Sequence, residues 1–271
     1  MTTIGSSSGS AGTGSPWAVE ARSLVKLFQD KVAVGGIDLL VPTGSFYGLV
    51  GPNGAGKSTT MRMCTTLLRP DRGRIVVAGV DVWAEPLEAR RILGVLPDEL
   101  GLFDRLTAAE LLTYLGLLRR LPTAQVERRA ADLINVMGLE DAAGVLIADF
   151  STGMRKKIAL AAAMLHDPIV LFLDEPFESV DPLSVRLICD VLDHYRASGG
   201  TVVLSSHVMD TVQRLCSHVA IVNAGHVVAE GPIDVVCAGR RLDDVFVDAV
   251  GGARVGAATL DWLGDSRPHA T

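Results

Sequence analysis

Residues 51–58 read Gly-Pro-Asn-Gly-Ala-Gly-Lys-Ser: a glycine, four residues, a second glycine, then a lysine and a serine. An apolar stretch, Phe46–Val50, precedes this segment, and a helix-like stretch, residues 57–68, continues from it. In such a strand, loop and helix, backbone N–H groups surround phosphate oxygens and the helix N-terminus adds partial positive charge. The segment therefore predicts a phosphate-binding loop that holds a nucleoside triphosphate.

Two side chains of this loop have chemistry of their own. Lys57 has the length and the charge to reach the outer phosphates, and Ser58 offers a hydroxyl that can ligate Mg²⁺. The residues that we predict to contact the nucleotide here are Gly51, Pro52, Asn53, Gly54, Ala55, Gly56, Lys57, Ser58 and Thr59.

Composition argues against a membrane-spanning segment in this chain and against nucleic acid as its partner. Its 271 residues are 48% apolar, which is ample for a buried core. The longest uninterrupted apolar run, residues 158–165, is far shorter than the roughly 18 residues that span a bilayer. A net charge of −6 argues against nucleic acid as a partner, since neutralisation of phosphates dominates such binding.

The four cysteines, at positions 64, 189, 216 and 237, are widely spaced among apolar neighbours, without a C-x-x-C pair or a secretory signal. We expect buried structural thiols in a reduced, cytoplasmic setting.

The organisation of the chain predicts one α/β domain with a helical insertion. Residues 1–16 are a Gly/Ser-rich leader that we expect to be disordered, and residues 251–271 a weakly ordered tail. Buried strands at 169–173, 201–205 and 219–222 alternate with helices between them. A capping box at Thr107 opens a helix through Leu121, and Thr123 caps another that stops near Gly138. The inserted helical subdomain covers about residues 98–163.

Two adjacent carboxylates end one predicted strand. Asp174 and Glu175 follow an apolar run, at the edge of a parallel sheet where ligands bind. We expect Asp174 to hold Mg²⁺ through its water shell, and Glu175 to orient the attacking water or accept its proton. The alternative is a solvated turn that merely ends the strand. With the phosphate loop, this segment makes nucleotide hydrolysis the leading hypothesis.

Two further segments place polar side chains where an anion could bind, one at the end of a predicted strand and one at the start of a predicted helix. His207 follows the strand at 201–205, and by the logic of Asp174 we expect it to contact a γ-phosphate. Ser151 is a natural N-cap for a helix over residues 155–165, whose N-terminus makes a second anion site. One phosphate loop has no obvious use for two such sites, so the second hints at a nucleotide on another copy of the chain.

Taken together, these segments resemble the nucleotide-binding subunits of ATP-binding cassette (ABC) transporters, in the family's order and over about residues 18–251. Residues 51–58 look like the Walker A loop, 171–176 like the Walker B segment with its catalytic glutamate Glu175, and 150–154 like the family signature. The resemblance implies a P-loop NTPase core with a mixed sheet, an N-terminal antiparallel β region and an inserted α-helical signature subdomain, over residues 17–250. It also implies roles for Phe28 in stacking on adenine, for Asp181 in the D-loop and for His207 as the switch histidine.

What the resemblance implies for function is an ATPase that uses Mg²⁺ and works as a dimer. In this family two subunits enclose two ATP molecules head to tail, so that Ser151 and Gly153 face the partner's Walker A loop. Catalysis rests with Glu175 and His207, and the metal with Ser58 and Asp174. The expected partners are a transmembrane permease and a second nucleotide-binding subunit, identical or related, which would place the chain on the inner face of the cell membrane. Residues 59–63, 65–70 and 242–246 look like those of exporters with separately encoded membrane subunits.

The chain departs from the family pattern at three positions. Asp98 stands where glutamine is usual, and a further charge about 4 Å from phosphate could cost around 4 kcal/mol at an effective dielectric of 20. Asp98 is therefore predicted to be a coupling-loop residue rather than a direct metal ligand. Thr152 replaces a common glycine in a first helical turn, where φ is negative and threonine is unstrained. Phe28 replaces a frequent tyrosine and keeps its stacking face.

Two other functions remain open from the sequence. A nucleotide-dependent switch would bind ATP and assemble, with hydrolysis weakened by Asp98 and Thr152. A small-molecule phosphotransferase could use the same loop, but would leave Ser151 and His207 without roles.

Overall fold

The computed structural model describes residues 15–251; most of the predicted leader and almost all of the predicted tail lie outside them. The strands are β1 Trp17–Phe28, β2 Lys31–Pro42, β3 Phe46–Val50, β4 Arg72–Val77, β5 Val80–Asp81, β6 Leu93–Leu96, β7 Val170–Leu173, β8 Thr201–Ser206, β9 His218–Asn223 and β10 His226–Pro232. The α-helices are α1 Lys57–Cys64, α2 Pro86–Ile92, α3 Ala108–Leu118, α4 Thr123–Val136, α5 Thr152–Met164, α6 Pro182–Ala197, α7 Met209–Leu215, α8 Ile233–Cys237 and α9 Leu242–Val250.

The strands form two sheets, which confirms the predicted α/β core with a mixed sheet and an N-terminal antiparallel region. A six-stranded sheet has the order β10-β9-β3-β8-β7-β6, in which the pairs from β9 to β6 are parallel and only β10 runs antiparallel. A four-stranded antiparallel sheet has the order β2-β1-β4-β5. The parallel register places the ends of β3, β7 and β8 side by side, and this edge carries the predicted chemistry.

Alternation along the buried strands produces two hydrophobic cores. Leu171 and Leu173 of β7 point into the core shared with helices α3 to α6, whereas Val170 and Phe172 point into the core beneath the antiparallel sheet. Successive side chains of a strand face opposite ways, so a strand that is apolar throughout must be covered on both sides. The six-stranded sheet therefore lies between two packed layers, which fixes its edge rigidly.

Helix boundaries follow local signals, with corrections at the ends. The capping box between Thr107 and Glu110 is present at the start of α3. Residue Thr123 is the first residue of α4 and Pro122 its N-cap, so the predicted cap was wrong by one position, because proline fits the entry to a helix. The first helix ends at Cys64 rather than near residue 68, since Thr66 takes a left-handed φ of 64°.

A two-residue turn joins β9 to β10, with Ala224 and Gly225 both at positive φ. All four cysteines are buried and free, as predicted, and burial raises the pKa of the Cys64 and Cys216 thiols to about 12. Within residues 15–251, none of the helices combines the length and the apolar character that crossing a bilayer requires.

Candidate functional site

The loop of residues 51–56 joins β3 to α1 in a conformation that depends on glycine. Gly56, the N-cap of α1, has a φ of 108°, and a Cβ there would come within 2.6 Å of the Ala33 carbonyl oxygen. A Cβ on Gly51 would come within 2.3 Å of the Val222 oxygen. Both positions therefore exclude side chains, and the N-terminus of α1 opens onto the loop with its backbone N–H groups.

Lys57 lies buried beside this loop, with 6% of its surface exposed. Its Nζ donates hydrogen bonds to the carbonyl oxygens of Gly51, at 2.8 Å, and Pro52, at 3.4 Å. The same atom lies 3.8 Å from Oε1 of Glu175. A cation in this place faces both the loop and the carboxylate that follows β7, and carbonyl bonds hold it there.

Asp174 lies at the end of β7 against the loop, as predicted. Its Oδ1 accepts a hydrogen bond from Ser58 Oγ at 3.1 Å and another from Ser205 Oγ at 2.5 Å. A hydroxyl and a carboxylate are the hard oxygen ligands that Mg²⁺ prefers, and Mg²⁺ is usually held by one or two protein groups together with phosphate oxygens. The pair Ser58 and Asp174 therefore fits a magnesium ion.

Glu175 occupies a strained position that fixes its carboxylate. The residue has a φ of 46°, in the left-handed region that side chains other than glycine rarely adopt. Its N–H donates to Ser205 Oγ at 2.9 Å, and its carbonyl accepts a bond from Lys156 Nζ at 2.9 Å. On the other side, Oε2 lies 3.0 Å from Nδ1 of His207. Both ends of Glu175 are thus held, with its carboxylate between Lys57 and His207.

An open cleft of about 470 Å³ connects these side chains. Phe28, which is half exposed at the end of β1, forms one wall, and the half-exposed His207 lines another. Lys26 Nζ lies 5.8 Å from the centre of the Phe28 ring, so the ring has a cation nearby as well as a free area. The cleft has the size of a small-molecule site, and both a flat aromatic ring and the phosphate-loop residues line it.

Asp98 lies on the wall between this cleft and a neighbouring one of about 280 Å³. The second cleft also contains Ser58 and Asp174, so the loop after β6 reaches the predicted metal side of the site. The described residues include no group of three or more His, Cys, Asp and Glu side chains placed to hold a metal by themselves.

Three other predicted residues lie together outside the cleft. Ser151 is the N-cap of α5, and its Oγ accepts a bond from the Met154 N–H at 3.3 Å. Asp181 is the N-cap of α6, and its bonds from backbone N–H groups, above all that of Ser184, lower the pKa of its carboxyl. A Cβ on Gly153 would come within 3.0 Å of Asp181 Oδ2, so glycine lets the two helix starts pack closely. Thr152 is helical, without the left-handed φ that would strain it.

Several residues of the site were not predicted from the sequence. Lys31, Ala33 and Glu178 line the cleft, and Ser205 and Lys156 contact Asp174 or Glu175. Ser205 directly precedes Ser206 and His207 at the end of β8, so its place beside β7 could have been inferred from the same edge argument. Lys156 stands in the run Arg155-Lys156-Lys157, which gives no sign that one lysine is buried.

Replacing Ser205 by alanine should lower the free energy of unfolding by about 1–3 kcal/mol, because the Glu175 N–H would lose its acceptor in a buried place. Denaturation by guanidinium chloride measures this. Ser198→Ala is a matched control, since that exposed hydroxyl only donates to the His194 carbonyl at the end of α6. It should change stability by less than about 0.5 kcal/mol. Equal stability of the two variants would contradict the role of Ser205.

Comparisons with known proteins show the family to which this fold and sequence belong. Residues 34–178 match the family described as ABC transporter. The chain is 42% identical, over 79% of its length, to the daunorubicin/doxorubicin resistance ATP-binding protein of Streptomyces peucetius, and 37% identical over 79% to the Nod factor export ATP-binding protein I of Rhizobium meliloti (strain 1021). It spans 65% and 64% of the lengths of these relatives. A solved ATP-binding subunit of an ABC transporter is 30% identical, with a TM-score of 0.79 over 86% of this chain and 99% of its own.

Proposed function

Because the chain belongs to the ABC transporter family, we propose that it binds and hydrolyses ATP and so drives a separate transmembrane permease. The observation that carries hydrolysis is the arrangement around Glu175. Its carboxylate lies 3.8 Å from the Lys57 ammonium and 3.0 Å from His207, next to the Asp174 and Ser58 pair. A carboxylate held in this way beside a phosphate loop can orient water for attack on a terminal phosphate and accept its proton.

The adenine ring and the phosphates of ATP each have matching groups at this site. The exposed Phe28 ring offers adenine a stacking face, the loop N–H groups and Lys57 bind the phosphates, and His207 reaches the terminal one. Mg²⁺ on Ser58 and Asp174 would neutralise charge that develops on the phosphates. The chain supplies orientation and proton acceptance, because Glu175 is held through both its backbone and its carboxylate.

Phosphate release by the purified chain with ATP and Mg²⁺ tests this function. A single-turnover measurement separates it from a switch that binds ATP without hydrolysing it. The acidic Asp98 on the cleft wall is the observation that favours the switch, since it adds negative charge beside the phosphates. Hydrolysis within one turnover supports the ATPase, whereas stable bound ATP supports the switch.

The second copy of the chain is proposed from the position of Ser151 and Gly153. They start α5 outside the cleft formed by the phosphate loop, so this helix N-terminus does not face the nucleotide that the same chain would bind. In a head-to-tail dimer, this helix start would close the partner's cleft over the ATP phosphates. The complete site would then consist of one loop and the other copy's helix.

Mixing two inactive variants tests the shared site. Lys57→Ala removes the phosphate contact, and Ser151→Asp keeps an N-cap but brings a negative charge toward the partner's phosphates. In a dimer of one of each, one of the two sites is intact, so an equal mixture should regain about a quarter of the full activity if the sites act independently. Ser151→Asn, which keeps the cap without the charge, should lose less activity than Ser151→Asp. A mixture no more active than its components would contradict a shared site.

The permease is proposed to contact the helices α3 to α5. A groove of about 190 Å³ on this side is lined by residues of the loop after β6 and by Leu111, Leu115 and Ala159. Next to it the exposed Phe103 and Tyr114 rings pack edge to face, 5.3 Å apart. Exposed apolar surface of this kind marks a protein interface. Through this contact the chain would lie peripherally on the inner face of the cell membrane, and its relatives favour export as the direction.

A further inference from the structure

Lys156 is a buried lysine whose position neither capping nor a salt bridge explains. It lies in α5 with 6% of its surface exposed, whereas the adjacent Lys157 is partly exposed. Within residues 15–251 its ammonium makes one hydrogen bond, to the Glu175 carbonyl at 2.9 Å. Burial of a lysine ammonium is unfavourable without compensating charge.

The compensation comes from carboxylates of the candidate site. Burial lowers the pKa of the Lys156 ammonium, and four surrounding negative charges oppose that shift. In decreasing order of effect, these belong to Asp98, Glu178, Asp174 and Glu175. In the part of the chain that the structure describes, none of these carboxylates lies within 4.0 Å of Nζ, so Lys156 forms no close ion pair with any of them.

We propose that Lys156 is a positioning residue that holds Glu175 for catalysis and balances the charge of Asp98 beside the nucleotide. Its hydrogen bond restrains the carbonyl of a residue that is strained at a φ of 46°. Its positive charge offsets the negative charge of Asp98 in the cleft wall, so Asp98 weakens the attraction for phosphate less than it would alone. This inference rests on the proposed hydrolysis of ATP, and it links the start of α5 to the loop after β6 through one cation.

The test is a pair of neutral substitutions, alone and together. Lys156→Gln leaves Asp98 without its counter-charge and should lower kcat about tenfold to a hundredfold. Asp98→Asn in the same chain removes the unbalanced charge. The kcat of the double variant should therefore be at least about fivefold higher than that of Lys156→Gln alone. The KM for ATP should change by less than kcat, because Lys156 acts on Glu175 rather than on the nucleotide. Lys157→Gln is the matched control, removing a charge from the next residue, and should turn over like the unmodified chain.

Lys156→Met separates the two effects of the lysine, since it removes the hydrogen-bond donor as well as the charge. Adding Asp98→Asn to Lys156→Met should recover less activity than adding it to Lys156→Gln. A merely structural lysine would lower the melting temperature of every Lys156 variant alike, and Asp98→Asn would restore none of them. Full activity of Lys156→Gln, or no recovery in the double variant, would overturn the inference.

A readout without hydrolysis keeps this test separate from the proposed function. If the unmodified chain does not hydrolyse ATP, the proposed function fails while the charge balance can still be measured. In guanidinium unfolding, Lys156→Gln and Asp98→Asn should each raise the equilibrium constant of unfolding by some factor. In the double variant, the increase should be at least about twofold smaller than the product of those two factors. Purely multiplicative effects would overturn the inference in that case as well.

Discussion

Replacing Glu175 by glutamine should lower ATP turnover by roughly 10²–10⁴-fold while ATP binding stays within a few-fold of that of the unmodified chain. The amide keeps the shape of the side chain and its place between Lys57 and His207, but it accepts a proton far more weakly than a carboxylate. Phosphate release gives the turnover, and calorimetric titration with ATP and Mg²⁺ gives the affinity. Because ATP would bind without being consumed, the same variant should also show the ATP-dependent dimer by size-exclusion chromatography.

The control for this variant is Glu88→Gln on α2, which removes an exposed carboxylate that is paired with Arg91. It should turn over like the unmodified chain, since exposed pairs contribute little. Unchanged turnover of Glu175→Gln would remove Glu175 from the catalytic step. Lost ATP binding in that variant would show that the carboxylate shapes the cleft rather than the chemistry.

Replacing Lys57 by alanine should weaken ATP binding by at least roughly thirtyfold, because a buried cation facing the phosphates would be lost. In the structure its ammonium is held by the Gly51 and Pro52 carbonyls, so it is already close to where the phosphates would lie. Calorimetric titration with ATP and Mg²⁺ measures the loss. Turnover falls with it, since the phosphates would no longer be held against Glu175.

Lys31→Ala is the matched control for this loss of charge. Lys31 also lines the cleft, but it is exposed on the outer rim, where water screens its charge. We expect a change of only a few-fold in affinity. Equal losses for the two variants would mean that the cleft attracts ATP through its overall charge and not through a specific phosphate contact.

Prediction from the sequence succeeded where the structure of a segment depends on residues within that same segment. The glycines of the loop, the apolar run before Asp174 and the capping box at Thr107 each act through residues only a few positions apart. Errors occurred at helix ends, as at Thr123 and after Cys64, where neighbouring conformations differ little in energy. The proposed roles of Phe28, Asp98, Ser151, Gly153 and Asp181 in nucleotide binding remain predictions.

The contacts around Glu175 join segments far apart in the chain, so local patterns predict at most which strand ends meet and not which atoms touch. Ser205 meets Asp174 only because β8 pairs with β7 in a register that aligns Leu204 with Leu173. Lys156 reaches the Glu175 carbonyl only because α5 packs with one of its two lysines inward. Among several basic residues in a row, composition gives no reason to choose that one.

Local sequence patterns were therefore enough to predict a phosphate loop, a pair of carboxylates at a strand end and a helical insertion. Glycine conformations, strand alternation and helix caps depend on residues close together in the chain, so the sequence predicts them directly. Only the fold brings Lys156 to the Glu175 carbonyl and sets the distances at which Ser205 and His207 contact Asp174 and Glu175. Those distances are set by strand order and packing, and both of these depend on burying the two faces of the six-stranded sheet at once.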